Sequence, residues 1–191
     1  VQKILELDVD GVLLDVYTPV ELYLSLNGQN FSFAENIKTW GMSECGPVVS
    51  KELKKLIVDP ELRGRATFYN GAIDFLYEIY KYSKQKNMQL VLNSHEFRRD
   101  TAKVKQHIIE NMLSTSGFSD IKYNISSGLN KEMLNSYICI DDSIPNIETS
   151  KAKYRILYGM FHNTPSYNII PKGSERIEGY DNILRRVSEI E

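Results

Sequence analysis

The stretch LDVDGVLLD, residues 7–15, places two carboxylates two positions apart just ahead of a glycine. In extended chain, residues two apart face the same side, so Asp8 and Asp10 project together. One such carboxylate can attack phosphorus while the other handles the proton of the leaving group. Gly11 frees the backbone to turn tightly and approach an anion. Two other readings compete for these residues. Asp and Gly dominate ordinary turns for local reasons, so the tetrapeptide alone could simply end a strand. Glu6, Asp8, Asp10 and Gly11 also fit positions one, three, five and six of a calcium loop, which needs a bidentate Glu at position twelve and helices on both sides. Position twelve is Tyr17 and the residues before it read as a strand, so the calcium reading fails.

Three later features could join this pair. In LVLNSHE (90–96) an apolar run stops at Asn93 and Ser94, where a hydroxyl and free N–H groups could hold a phosphate oxygen; Ser and Asn are also common helix caps. Lys131 could neutralise charge developing on a transferring phosphoryl group, although a lysine taken alone is a solvated surface charge, and Lys122 is a weaker substitute. In ICIDDSIPN (138–146) an apolar strand ends on Asp141 and Asp142. Taken alone the pair could cap a turn or helix. Clustered with Asp8 and Asp10, these acids would repel and raise one another's pKa unless a cation sat among them. Magnesium suits such a set, being a hard ion that takes oxygen ligands together with substrate phosphate.

Positioning these groups requires a scaffold, and the 191 residues suffice for one domain with a modest insertion. KILELDV (3–9), MQLVLN (88–93), Ile121–Ile125, YICID (137–141) and RILYGM (155–160) read as strands. An amphipathic helix after Gly71 carries Ile73, Leu76, Ile79 and Tyr80. A second over 97–114 carries Val104, Ile108 and Met112, and a third spans Tyr180–Ile190. Alternation of this kind predicts an α/β fold with a parallel sheet flanked by helices, whose ligands collect beyond the carboxyl ends of the strands. From Tyr17 to Tyr69 short helical pieces alternate with polar stretches, which predicts an inserted subdomain over 17–69 and a core of 1–16 and 70–191. The net charge of -2 gives no pull toward nucleic-acid polymers or anionic membranes. Cys45 and Cys139 have neither metal-ligand spacing nor a partner framework, which points to a reducing compartment. No stretch reads as a membrane span, and Glu6, Asp8 and Asp10 break the N-terminal apolar run, unlike a secretory signal.

An acid pair after the first strand (Asp8/Asp10), Ser94 after a later strand, Lys131, and Asp141/Asp142 after the next strand, in that order, resemble the four motifs of the haloacid dehalogenase (HAD) superfamily. Within it, DVDGVLLD, the small insertion, TWGMSE (39–44), the ten-residue step from Lys131 to Asp141 and MFHNTPSYN (160–168) are similar to the 5'(3')-deoxyribonucleotidases. The chain departs from that family at Asn93, where a hydroxyl residue is common. The resemblance implies a HAD-like Rossmannoid sheet with a small helical cap after the first strand. It further implies a cytoplasmic, magnesium-dependent phosphomonoesterase acting on nucleoside monophosphates through an aspartyl-phosphate. Asp8 would be the nucleophile and Asp10 the acid/base. Ser94, Lys131 and Asn93 would bind phosphate. Asp8, the Asp10 carbonyl, Asp142 and Asp141 would hold Mg2+, with Asp142 preferred as the direct ligand. Trp40 is the best-matched residue to meet the base, Phe68 and Tyr69 are weaker candidates for the same role, and neither His95 nor His162 receives a catalytic role. The expected partner is a small phosphomonoester, not a nucleic-acid polymer or a membrane, and a homodimer is compatible. The competing readings are a HAD phosphatase for a sugar phosphate and a non-catalytic binding protein of the same fold.

Overall fold

Central strands of a parallel sheet are buried on both faces, so they are built from nearly continuous apolar runs. β1 (Lys3–Leu7), β4 (Met88–Glu96) and β6 (Ile138–Asp141) fit this description. Leu5, Leu7, Leu90, Leu92, Ile138 and Ile140 are almost wholly removed from solvent. In the computed structural model, which describes residues 2–118, 120–127, 131 and 134–190, these strands join β5 (Lys122–Ser127), β7 (Tyr154–Tyr158) and β8 (Ser174–Ile177). The order is β5-β4-β1-β6-β7-β8 and every pairing is parallel. Leu7 lies in register with Leu92 on one side and Ile140 on the other. The carboxyl ends of β1, β4 and β6 therefore share one edge, and the residues just beyond them are brought side by side.

Helices cover both faces, as the alternation requires. α5 (Ala72–Gln85) packs on β4 and on α8 (Tyr180–Ser188), α6 (Arg99–Thr115) on β4 and β5, and α7 (Ile144–Thr149) on β6 and β7. Phe75 of α5 stacks on Tyr180 at 4.5 Å between ring centroids, and the Tyr180 hydroxyl donates to the Val12 carbonyl at 2.6 Å. That bond ties the closing helix to the turn after β1.

The insertion leaves and re-enters through a two-stranded antiparallel ribbon of β2 (Leu14–Asp15) and β3 (Thr67–Phe68). Between them lie α1 (Thr18–Leu26), α2 (Phe33–Asn36), a 3-10 turn at Ser43–Cys45, α3 (Gly46–Ile57) and α4 (Pro60–Arg63). Asp15 fastens the entry, its carboxylate accepting from the N–H groups of Tyr17 and Thr18 and from the Thr18 hydroxyl. Asp59 caps α4 by accepting from the N–H groups of Glu61 and Leu62. α4 thereby comes to rest against α6 of the core.

Three local expectations change. β4 runs three residues past Asn93, to Glu96. β8 had no signal in SERI because it is an edge strand, partly exposed, and needs no apolar run. The buried stripe of α6 is Thr101, Lys105, Ile109, Met112 and Leu113, while Val104 and Ile108 are only half-buried. Lys105 rather than a hydrophobic residue thus occupies the face turned toward the sheet, and the ionic partners that make this tolerable lie at the strand ends.

Candidate active site

Asp8 continues β1 by one residue, its N–H donating to the Ile140 carbonyl at 2.9 Å. That bond sets its carboxylate beside those of Asp141 and Asp142, and one oxygen from each of the three lies within 4.8 Å of the others, all buried. Lys131 Nζ lies between two of them, donating to Asp8 Oδ1 at 2.8 Å and to Asp141 Oδ2 at 2.6 Å. Burial disfavours the Lys131 charge, but Asp141 and Asp8 outweigh it and hold the ammonium protonated. Asp141 is fully engaged, since it also accepts from Ser143 N–H at 2.8 Å and from the Asn146 amide at 3.1 Å.

Asp142 differs from its neighbour. Both of its carboxylate oxygens are buried and neither accepts a hydrogen bond, although His162 Nε2 lies 3.2 Å from Oδ2. Burial, reinforced by Asp8, pushes its pKa well up. Asp8 is raised to about 7, by burial first and by Asp141 second. Three acids at the end of a sheet with one lysine among them are short of positive charge, which is the condition a hard cation would relieve. The turn leaves space for the Asp142 carboxylate only because residue 11 is glycine. Gly11 has φ +72°, and a Cβ there would lie 1.9 Å from Asp142 Oδ2. Gly11→Ala is expected to lower the melting temperature by roughly 5 °C or more, from the left-handed backbone penalty and the collision together, as thermal unfolding would read.

Asp10 faces a different set of charges. Its Oδ2 accepts from Arg63 of α4 and from Lys105 of α6, each at 2.8 Å, while its Oδ1 accepts nothing. Burial opposes ionisation, but Arg63 and Lys105 prevail and hold the carboxyl below its ordinary range. Lys105 also donates to Ser94 Oγ at 2.9 Å and to the His95 carbonyl at 2.8 Å, and both cations pair with Glu96 Oε1 at 2.8 Å. Successive residues of a strand face opposite ways, so Asn93 turns from Ser94. The Asn93 amide donates to Glu6 Oε1 at 2.5 Å and its oxygen accepts from Asn124 at 2.9 Å. The structure thus brings Asp8, Asp141, Asp142 and Lys131 into one cluster and Asp10 and Ser94 into an adjoining one, with the Asn93 side chain on the strand's other face.

Trp40 lies on the insertion, 43% exposed, with its ring edge-on to His162 at 4.8 Å between centroids. His162 and Asn163 follow β7 and hold the residue that bears the orphaned carboxylate. His162 Nε2–H donates to the Asp142 carbonyl at 3.2 Å, and the Asn163 amide donates to the same oxygen at 2.8 Å. Burial lowers the His162 pKa to about 4, so the ring is neutral at physiological pH. The insertion is fastened here too, by Asn168 donating to the Lys38 carbonyl at 2.8 Å and by Phe33 and Phe161 packing on Tyr17. Phe68 and Tyr69 are partly buried against the core, and His95 packs edge-on to Phe97.

Residues 2–187 match the family model described as 5' nucleotidase, deoxy (pyrimidine), cytosolic type C protein. The chain belongs to this 5'-nucleotidase family. Membership makes it a hydrolase of phosphoric monoesters of the HAD superfamily, and the six-stranded parallel sheet with flanking helices is the HAD-like fold. The comparison with curated proteins finds no match. Among solved structures, a hydrolase of the haloacid dehalogenase-like family from Streptococcus pneumoniae is similar at 11% identity and a TM-score of 0.48, covering 97% of this chain and 98% of that one.

In sequence Arg63, Glu96 and Lys105 carry no site role for this nucleotidase, and Glu6 enters only as a position of the rejected calcium loop and a break in the N-terminal apolar run. Two of them had left a signal. Lys105 stands four residues after Thr101 and four before Ile109 on one helical stripe, and Glu6 interrupts an apolar central strand between Leu5 and Leu7. Glu6 is wholly buried, accepting from Asn93 and from Ser136 Oγ, and burial raises its pKa. Arg63 and Glu96 had left none, because only the folded chain lays α4 against the end of β4.

Proposed function

We propose that this nucleotidase is a magnesium-dependent 5'(3')-deoxyribonucleotidase that works through an aspartyl-phosphate. The observation that carries the reading is the buried Asp8–Asp141–Asp142 cluster in which neither Asp142 oxygen accepts a hydrogen bond and the neighbouring group at 3.2 Å from Oδ2 is the neutral ring of His162. A carboxylate buried without hydrogen bonds either stays neutral or meets a cation. Asp142, Asp8 and the Asp10 carbonyl would hold Mg2+ directly, while Asp141, already saturated with hydrogen bonds, supports Lys131. When bound, the ion supplies positive charge to the cluster and to the phosphate oxygens.

Asp8 is the nucleophile, attacking phosphorus in line with the departing nucleoside oxygen. Lys131 and Ser94 hold the phosphoryl oxygens, and Asn93 keeps the β4 end fixed through Glu6 and Asn124. Asp10 gives the leaving oxygen its proton and afterwards takes one from the water that opens the acyl phosphate. Since Asp10 is ionised at rest, the incoming proton travels with the substrate; a phosphomonoester ionises for the second time near about 6, so its monoanion brings one. Residues 17–69 act as the cap, which excludes water and meets the leaving group. The half-exposed ring of Trp40 offers the base a stacking surface beside His162. The protein works in the cytoplasm on free nucleoside monophosphates, and a homodimer is compatible with that work. Among the described residues no helix is long and apolar enough to cross a membrane.

Phosphate release measured with and without Mg2+ across ribo- and deoxyribonucleoside 5'- and 3'-monophosphates and sugar phosphates tests the reading. Turnover confined to sugar phosphates, or indifferent to the metal, would overturn it. Trp40→Ala is expected to reduce kcat/KM for nucleoside monophosphates by roughly 10-fold or more, the worth of one base–aromatic stack, and to leave a small generic phosphoester nearly unaffected. An equal fall for both would remove the base from Trp40.

A further inference from the structure

Lys105 belongs to none of the four acid, hydroxyl and lysine motifs, yet it is the most completely enclosed cation at the site, with no solvent exposure. Lysine is almost never fully buried unless its charge is matched. Its ammonium meets Asp10 Oδ2 at 2.8 Å, Ser94 Oγ at 2.9 Å, the His95 carbonyl at 2.8 Å and Glu96 Oε1 at 2.8 Å. Arg63 closes the group from the insertion by pairing with both Asp10 and Glu96. Two cations and two carboxylates thus form a neutral quartet in which Lys105 alone also reaches Ser94.

We propose that Lys105 is a positioning residue that fixes the Asp10 carboxylate and the Ser94 hydroxyl relative to one another, with Arg63 making the same hold depend on the seated insertion. The inference rests on the reading of Asp10 as the acid that serves the leaving oxygen. Its geometric content is which oxygen works. Oδ2 is claimed by two cations, and Oδ1, buried and accepting no hydrogen bond, is the one left to carry the proton to the nucleoside. A carboxylate held by one oxygen cannot rotate that oxygen into the place of the other. Cost follows geometry here, because a reacting group misplaced by about 1 Å can lose on the order of 100-fold in rate. Lys105 has the reach for this task because it lies on α6 two turns before Met112, on the stripe that packs against β4.

Leaving groups of different basicity separate positioning from mere stability. A nucleoside oxygen departs poorly unless protonated, whereas p-nitrophenolate departs readily without help, and kcat/KM covers only the steps through its departure. Lys105→Met alone leaves two carboxylates facing one arginine in a buried place, so K105M/E96Q is made beside it; that pair removes one charge of each sign and leaves Arg63 on Asp10. With saturating Mg2+, we expect K105M/E96Q to melt near the unmutated protein. Its kcat/KM for a deoxyribonucleoside 5'-monophosphate should fall by roughly 30-fold or more, and that for p-nitrophenyl phosphate by less than about 5-fold. Asp10→Asn should show the same split, more strongly. Equal losses on both substrates, or none, while Asp10→Asn still splits them, would overturn the part given to Lys105 and leave the function standing. Absence of the split in Asp10→Asn itself would overturn both.

Discussion

Asp8→Asn is expected to reduce nucleoside monophosphate hydrolysis by about four orders of magnitude or more, the scale on which loss of a covalent nucleophile is felt, without unfolding the protein. The two halves of this expectation come from the same contacts. An amide cannot form the acyl phosphate, so the chemical step is lost. The same amide fills the same space, and Lys131 keeps Asp141 as a partner at 2.6 Å. Removing the charge also relieves a strain the unmutated site carries, since burial and Asp141 raise Asp8 to about 7. In the absence of divalent ions at pH 8, Asp8→Asn should therefore melt no lower than the unmutated protein. A phosphate-release assay and a thermal melt on one preparation decide the matter. Retained turnover would remove Asp8 as nucleophile, whereas lost turnover with a collapsed melt would show that the carboxylate is needed for folding instead.

Divalent metal should matter second most, and its effect on stability should depend on pH. The folded pKa of Asp8, about 7, lies above its ordinary value of 3.8, and Asp142 is raised too. A raised carboxyl holds its proton more tightly in the folded chain. The stability it contributes is complete below about 4 and is lost as pH rises through about 7. The metal-free protein should accordingly lose stability across that window, and Mg2+ should restore it only where the acids have given up their protons. At pH 7.5, Mg2+ at about 100 times its Kd adds about 2.7 kcal/mol, which for a domain of this size raises Tm by roughly 5–10 °C. At pH 5 the ion must first displace protons and the shift should be a small fraction of this. Melting curves with Mg2+ and with a chelator at the two pH values are the measurement, and equal shifts at both would sever the acid cluster from the metal. Activity should vanish with the chelator and return with Mg2+.

Much of this molecule was legible before folding because its information is local. Period-two and period-3.6 apolar patterns show where strands and helices lie. The α/β class follows from their alternation, and the acids at strand ends follow from the rule that such sheets bind ligands there. Asp8, Ser94, Asp141 and Asp142 could be proposed because each stands beside an apolar run that announces its element, and Lys131 because it falls ten residues before Asp141 in the ordered set. The match of residues 2–187 to a nucleotidase family agrees with that ordered set.

Tertiary structure decided the pairings. Nothing near residue 63 or residue 105 announces that their side chains meet across 42 positions on one Asp10 oxygen, because that meeting depends on how α4 settles on α6. Residue type alone does not separate the fates of Asp141 and Asp142, which are neighbours of one kind, and only the family resemblance prefers Asp142 as the direct ligand. In the fold one is saturated by Lys131, Ser143 and Asn146, and the other, beneath Gly11 and beside the His162 ring, accepts no hydrogen bond. The chemical types and their order are properties of the chain. Which oxygen is free and which is held is a property of packing, since a hydrogen bond needs a partner within about 3 Å and only the folded chain brings distant partners that close.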